Sequence, residues 1–512
     1  MKVLFRVDSS LEIGTGHVMR CLTLAMELKS RGCEVVFICR DLKGNLSGYI
    51  SSKDYRVVLL TSESNKVTGE ISDEVVLYHE HWLAVSWRQD AEETKSALAN
   101  EKDVDWLVVD HYGLDIRWER HLKDVVKKIL VIDDLADRKH EADLLLDQNF
   151  YHDLDVRYEN LVASRCKLLL GPKYSLLRNE FQLIRKNMEF KERPISKILV
   201  FFGGVDAENM TGKVLLALKN INLETLTVNV VIGASNQHRK ELEAICSEEK
   251  SFYLKVQVEN MAELMSESDL SIGAGGSTTW ERFCLGLPSL VLPIAENQKQ
   301  LLKDCAREGL LYMPDYKDKA VDEIHYHVKA MIDNSALCAY MREKGALLVD
   351  GKGVQRVSNL IVTPKINLVE AKEEDVLKIY KWRNEPDIRE MSHSKSEIDI
   401  EEHKQWFGRV LNDSNRFVLI ASIFESEIGV VRFDISGIEA EVSIYLLGEN
   451  KGKGYGTEML KAAEYWLVKQ RPEIKSVVAD VINNNKASMS LFNSNGYTLD
   501  TVRYIKSLEN VF

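Results

Sequence analysis

Three glycine-rich turns in this chain carry the residue types that could do chemistry. The first is Gly14-Thr15-Gly16-His17. It follows an apolar run, KVLFRVD over residues 2–8, and opens a stretch where Val18, Cys21, Leu22, Ala25 and Leu28 recur at helical spacing. Gly32 ends that helix at the position where a left-handed residue is usual. A strand, a glycine turn and a helix start make an anion site, because free backbone N–H groups and the helix dipole both point at it. His17 stands at the mouth, where the positive helix end favours the neutral imidazole that accepts protons. By residue type alone it is either a general base or a structural histidine. The spacing is G-x-G-H, not the G-x-G-x-x-G of a dinucleotide loop.

The second turn, Gly273-Ala274-Gly275-Gly276-Ser277-Thr278-Thr279-Trp280-Glu281, follows a strand over residues 269–272. Ser277, Thr278 or Thr279 can cap the helix it opens, and Glu281 at the least complements that helix N-terminus. Asn297 and Gln298 follow the next strand, where such residues are otherwise ordinary turn formers. The third turn, Lys451-Gly452-Lys453-Gly454-Tyr455-Gly456, opens a helix running through Trp466. Asp110-His111-Tyr112 ends a buried strand and points to the same cleft as His17, unless it is only a strand-end cap. Asp103-Val104-Asp105 mimics a metal-binding D-x-D, but lies in a run of charges before a strand, so it reads as a solvated turn and no metal is assigned.

Strands alternating with helices must position these residues. Residues 34–39, 57–60, 106–110 and 129–133 are short apolar runs separated by helical or polar stretches, which implies a parallel sheet wrapped by helices. In such a sheet ligands sit beyond the strand C-termini, where Asp8, Asp110 and Asp133 fall. A second unit of this kind starts near Ile195, with strands over 198–202 and 226–232 and a helix over Val205–Leu218 between them. The pattern breaks at 351–367, and strands near 417–424, 428–433, 441–447 and 477–482 follow.

The 512 residues should hold about three compact units. A net charge of −12 argues against a nucleic-acid or anionic-membrane surface. The eight cysteines are scattered, without C-x-x-C, as reduced core residues of a cytoplasmic protein would be. The charged first strand is no signal peptide, and no apolar run approaches the ~18 residues of a membrane span.

Residues 6–35, RVDSSLEIGTGHVMRCLTLAMELKSRGCEV, resemble the N-terminus of the UDP-sugar hydrolases of pseudaminic acid synthesis, which release UDP from a 2,4-diacetamido-2,4,6-trideoxy-altrose. DDLADRKHEADLLLDQN at 133–149 and GPKYSLLR at 171–178 resemble the same family. The resemblance implies a GT-B fold with His17 at the reacting anomeric carbon and Tyr112 at the sugar or its leaving oxygen. It places Asn297, beside Gln298, toward the sugar or its phosphate. The second glycine turn resembles the nucleotide-diphosphate loop of GT-B enzymes, including the transferase that completes the peptidoglycan lipid precursor. This implies that Gly14, Gly16, Gly275, Gly276, Ser277 and Thr278 surround the UDP-sugar and that Glu281 takes the ribose hydroxyls. Inverting C–O cleavage without a metal is implied as well.

The third turn resembles the R/Q-x-x-G-x-G/A loop of GNAT acetyltransferases, with lysine at 451 in place of Arg or Gln. That resemblance implies acetyl-CoA held by Lys451, Gly452, Lys453, Gly454, Gly456, Asn483, Asn485 and Ser488. Phe492 stands where many of these enzymes have a proton-donating tyrosine, so thiolate protonation uses water or another group, or is unassisted. Glu441 is the candidate to help deprotonate the amine, or else an outward-facing strand residue; Tyr445 and His403 are weaker candidates.

The expected architecture is α/β. A GT-B-like, two-lobed Rossmann-type hydrolase spans 1–360, with lobes at about 1–165 and 195–345, and an α+β GNAT domain spans 366–512. The expected function is bifunctional: N-acetylation of the 4-amino group of UDP-4-amino-4,6-dideoxy-N-acetyl-altrosamine, then hydrolytic release of UDP. The expected partners are a UDP-activated amino sugar and acetyl-CoA, with no nucleic acid and no membrane. Two alternatives stand beside it: a GT-B glycosyltransferase, and a hydrolase whose GNAT-like half is a non-catalytic sensor.

Overall fold

The computed structural model describes residues 1–62, 77–99, 101, 103–190, 192–221, 226–294, 296–315, 321–362, 366–392, 394–423, 426–452, 454–482 and 485–499, without the side chains of Asn297 and Glu449. The chain divides into two compact units, Met1–Ser358 and Asn359–Phe512.

The first unit opens with a seven-stranded parallel sheet. Its strands are β1 (Lys2–Val7), β2 (Glu34–Arg40), β3 (Arg56–Leu60), β4 (Trp106–Asp110), β5 (Lys128–Ile132), β6 (Leu144–Asp147) and β7 (Lys167–Leu170), in the order β3-β2-β1-β4-β5-β6-β7. β4 is buried at every residue and β1 at all but its first, as a sheet covered on both faces requires. The strand order reverses between β1 and β4, where Val7 pairs with Asp110, so the loops after these strands diverge and leave a crevice. The helix α1 (Gly16–Ser30) starts at that crevice.

A five-stranded parallel sheet follows: β8 (Lys197–Phe201), β9 (Thr227–Ile232), β10 (Phe252–Val256), β11 (Leu270–Gly273) and β12 (Ser289–Val291), ordered β10-β9-β8-β11-β12. Its reversal point lies between β8 and β11, beside the second glycine turn. Two parallel sheets of this kind make the GT-B-like first half. The helix expected from Val205 begins only at Met210, because the Asp206 carboxylate accepts from the N–H groups of Met210 and Thr211 and holds the preceding residues in a turn. The 351–367 segment is likewise no simple linker. Residues 353–361 form a helix whose Gln355 amide donates to Gln182 at 3.3 Å, which ties it to the first unit.

The second unit is α+β. β13 (Ile366–Glu370), β14 (Arg416–Ile423), β15 (Ser426–Ser436) and β16 (Glu439–Leu446) are antiparallel neighbours, and β17 (Ser476–Val478) runs parallel to β16. The helix Tyr455–Gln470 covers one face through Met459, Leu460, Ala463 and Leu467, while Ile379 and Phe407 from two other helices cover the opposite face. The strand expected over 477–482 shortens to Ser476–Val478, because its pairing with β16 ends at Glu441↔Val478.

Charge is buried deep in the first sheet. The Arg6 guanidinium bridges Asp8 and Asp90 at 2.6 Å each, and Arg40 reaches Asp90 at 2.6 Å. Two cations and two carboxylates thus neutralise one another out of reach of water. Burial alone would raise the Asp8, Asp90, Asp110 and Asp133 carboxyls, but neighbouring cations more than offset it and hold all four below the usual range, Asp133 at about 2. Each binds its proton more weakly folded than unfolded, so its stabilisation is complete above about pH 4 and is lost as the pH falls toward the folded values. Asp147 runs the other way: burial and Asp134 lift it to about 7, so its contribution fades as the pH rises from about 4 to 7. Because the lowered carboxyls of the first unit outnumber the raised Asp147 and Glu281, calorimetry should show its melting temperature falling as the pH drops below about 4.

All eight cysteines are buried free thiols of the first unit. Burial pushes Cys39 and Cys284 up to about 12. Among the described residues, no helix is long and apolar enough to cross a membrane, and no group of three or more His, Cys, Asp or Glu could hold a metal ion.

Candidate functional site

His17 is the second residue of α1, whose N-terminus has no side-chain cap. Its Nδ1 lies 2.6 Å from Asp110 Oδ1 at the end of β4. Arg20, one turn along α1, grips the same carboxylate with Nε to Oδ2 and Nη2 to Oδ1, both at 2.6 Å. Burial would raise the Asp110 carboxyl, but Arg20 and then His17 outweigh it and hold the group well below its ordinary range. A carboxylate can only accept, so this contact favours the neutral tautomer with its proton on Nδ1, whose lone pair on Nε2 is turned away from Asp110. Arg20 also reaches Asp134 Oδ2 at 2.9 Å, and the Tyr112 hydroxyl donates to Asp134 Oδ1.

The Tyr112 ring meets His17 edge-on at 4.6 Å and stacks on Trp82 at 5.4 Å. The expected pair of His17 and Tyr112 is therefore brought together, with Gly14 on the loop that leads into α1 and Gly16 as the first residue of that helix. The Tyr112 hydroxyl is occupied by Asp134, and burial pushes its pKa well up, so a proton donor to substrate is not its resting state. Asp8, by contrast, turns inward to Arg6 and His111. Sequence reasoning missed Arg20, Asp134 and Trp82. Arg20 left a signal: a charged residue among the buried positions of α1 must find a partner.

The second loop is shaped by close approach. A Cβ on Gly273 would stand 2.1 Å from the Phe201 carbonyl oxygen, and one on Gly275 would stand 2.7 Å from Leu302. Gly276, Ser277 and Thr278 continue into the helix Thr278–Cys284. Ser277 makes no side-chain cap; the Thr279 hydroxyl instead accepts from the Gly276 N–H at 3.3 Å. Beneath the turn lies Arg282, buried, donating to the Ala274 carbonyl at 2.5 Å and the Thr278 carbonyl at 3.2 Å. No carboxylate pairs with it among the described residues, and burial lowers its pKa to about 10. Glu281 faces Arg178 of the inter-lobe segment at 3.6 Å, and burial raises its carboxyl despite that cation. Gln298 accepts from the Ile294 N–H at 3.3 Å, while the Asn297 side chain lies outside the described residues.

Gly273→Ala should therefore cost about 1–3 kcal/mol, since backbone must move to admit the methyl. Gly16→Ala, whose Cβ would meet nothing within 4 Å, should leave the melting temperature unchanged. Thermal denaturation of the two variants checks the contrast.

In the second unit, Gly452 and Gly454 adopt φ of 76° and 80°, conformations that L side chains rarely take, just before the helix at Tyr455. Gly456 lies in its first turn. Lys451 Nζ lies 2.5 Å from Asp387, so its charge already has a partner. Asn485 accepts from the Ser488 N–H at 3.0 Å and caps the helix Lys486–Ser494, which places both expected cofactor-site residues at one helix N-terminus. Lys453 and Asn483 lie outside the described residues. Glu441 is exposed on β16, at the point where pairing with β17 stops. His403 is buried against the Val376 carbonyl at 3.2 Å, which marks it as a helix anchor. Phe492 is buried against Tyr497, with ring centroids 4.9 Å apart.

The model of the glycosyltransferase family 28 C-terminal domain matches residues 197–357, and that of the acetyltransferase (GNAT) domain matches 365–498. Uncharacterized protein MJ1062 of Methanocaldococcus jannaschii is 25% identical over 97% of this chain and 96% of its own. The UDP-2,4-diacetamido-2,4,6-trideoxy-beta-L-altropyranose hydrolase of Campylobacter jejuni is 30% identical over 62% of this chain and all (100%) of its own. Acetyltransferase PseH of the same species is 28% identical over 26% of this chain and 83% of its own. One enzyme is thus matched end to end by 62% of the chain, and another over 83% of its length by 26%. The chain belongs to the family of the UDP-2,4-diacetamido-2,4,6-trideoxy-beta-L-altropyranose hydrolase and carries a GNAT acetyltransferase domain fused behind it.

Proposed function

We propose that residues 1–360 hydrolyse a UDP-linked 2,4-diacetamido-2,4,6-trideoxy sugar and residues 366–512 first acetylate its 4-amino precursor from acetyl-CoA, both in the cytoplasm. The observation that carries the hydrolase reading is the chain Arg20–Asp110–His17, which fixes one imidazole tautomer at the N-terminus of an uncapped helix. His17 Nε2 takes a proton from water as its oxygen bonds to the anomeric carbon. The carbon–oxygen bond to the diphosphate breaks on the opposite face, giving inversion, and UDP leaves with the electron pair. The Gly275–Thr278 turn and the unpaired charge of Arg282 favour the diphosphate as its charge grows, and Glu281 takes the ribose hydroxyls. UDP is already a good leaving group, so this route requires neither a glycosidase carboxylate pair nor a metal.

In the second unit the N–H groups after Gly454 receive the CoA pyrophosphate, and the gap beyond Glu441↔Val478 admits its thioester arm. Glu441 relays the amine proton through water. The amine attacks the thioester carbonyl, the carbon–sulfur bond breaks, and solvent protonates the thiolate, since Phe492 carries no acidic proton.

The test is UDP release from the UDP-4-amino sugar with and without acetyl-CoA. Release that depends on acetyl-CoA is expected. Equal release without it would remove acetylation as the gate, and no release from the pre-acetylated sugar would overturn the substrate. Release that requires a second sugar would favour a glycosyltransferase. CoA binding without turnover would favour the sensor that Phe492 suggests.

A further inference from the structure

Glu281 lies largely buried, one turn into the helix Thr278–Cys284, and its surroundings work against a charge. Burial acts most strongly on its carboxyl and raises it, and neighbouring Glu180 adds to the rise. A protonated carboxyl spends one oxygen on its own proton, whereas two ribose hydroxyls each need a lone pair. The cations facing Glu281 are Arg178 and Arg282, and burial pushes the Cys284 thiol of its own helix up to about 12. Arg282 is spent beneath the glycine turn on the Ala274 and Thr278 carbonyls. Among the described residues, Arg178 is the cation that forms an ion pair with Glu281, Nη2 to Oε1 at 3.6 Å. It comes from outside the second glycine turn, at the end of the 171–178 segment between β7 and the helix Asn179–Arg185. That segment is fixed. The Leu176 N–H donates to Gln148 at 3.0 Å, Arg356 donates to the Lys173 carbonyl at 2.7 Å, and a Cβ on Gly353 would stand 2.2 Å from the Ser175 carbonyl oxygen. The Arg178 guanidinium lies 5.4 Å from the centre of the buried Phe181 ring, and its Nη1 meets Glu180 at 3.1 Å. A cation on a firm base thus faces a carboxylate that burial alone would protonate.

We propose that Arg178 is a positioning residue for nucleotide recognition, which keeps the Glu281 carboxylate aimed as an acceptor for two ribose hydroxyls. Discrimination for a ribonucleotide then depends on a side chain that acts through Glu281 and not on the nucleotide itself. This deepens the reading of Glu281 as the ribose partner and rests on it. A guanidinium suits the task, because it stays charged at every working pH and its fork spans Glu281 and Glu180 together.

UDP and 2′-deoxy-UDP are the probes, titrated calorimetrically into the full chain at about pH 6 and about pH 8. Their affinity ratio reports the 2′-hydroxyl, because the titration of the phosphates is common to both and cancels. The unaltered chain should prefer UDP about tenfold at both pH values, and Glu281→Ala, which identifies the site, should remove that preference. Arg178→Gln should bring the ratio close to one at the lower pH and restore part of it at the higher. Without the cation the carboxyl takes up its proton at a higher pH, so the acceptor is lost from the acid side. Arg178→Lys, which keeps the charge, should retain most of the preference at both. Continued binding of 2′-deoxy-UDP reports that the variants fold. Equal weakening of both nucleotides by Arg178→Gln, with the ratio intact, would overturn the inference and assign Arg178 to the phosphates. A ratio lost equally at both pH values would overturn it too, by marking a purely structural role. An unaltered chain that binds both nucleotides equally would instead sink the ribose reading, and this inference with it.

Discussion

Replacing His17 by Asn should lower UDP release about 10²- to 10⁴-fold and leave acetyl transfer unchanged. The asparagine amide places an N–H near the position of Nδ1, so it can still donate to Asp110 and preserve the bond that reaches Arg20. What it lacks is the distal nitrogen. The loss therefore reads the proton-accepting lone pair and not the integrity of the loop. Release of UDP and release of the CoA thiol, followed on the same preparation, separate the two activities. Loss of both would contradict independent sites.

Asp110→Asn should do more, because it acts on structure and chemistry together. Asp110 is fully buried and receives both Arg20 and His17. An amide cannot match the guanidinium charge, and leaving Arg20 with Asp134 as its one carboxylate should cost about 1–3 kcal/mol. UDP release should also fall, since nothing then fixes the imidazole proton on Nδ1. A double variant, Arg20→Met with Asp110→Leu, distinguishes the two effects: stability should largely return, because an ion pair replaced by packed apolar groups is often neutral, while activity should not. Thermal melts beside UDP-release rates check both. Full activity in the apolar double variant would remove the pair from the mechanism.

The strand, loop and helix around His17 were legible because apolar periodicity changes there from a continuous run to helical spacing within a few residues. The second glycine turn was legible for the same reason. Asp110 as the partner of His17 was not, because the contact depends on β4 inserting beside β1, 93 residues away in sequence. Arg282 was hidden differently: its type says surface, and only the fold shows it turned under its own loop. The Asn485–Ser488 spacing also obeys a local rule, since an asparagine three residues before a serine N–H is the geometry of a helix cap. The shortened β17 depends on how far its neighbour stays in reach, which no pattern within 477–482 encodes.

The distribution of thiols gives the molecule a built-in reporter. All eight sit buried in the first unit, and burial holds several of them protonated far above neutral pH. An alkylating reagent should find almost no thiolate until that unit opens, so labelling kinetics measure the opening of the hydrolase half alone. The other half is silent to the reagent, because residues 359–512 contain no cysteine. Thiol appearing during acetyl transfer therefore belongs to the released coenzyme, and turnover in one half and breathing in the other can be followed in one cuvette by their different time courses.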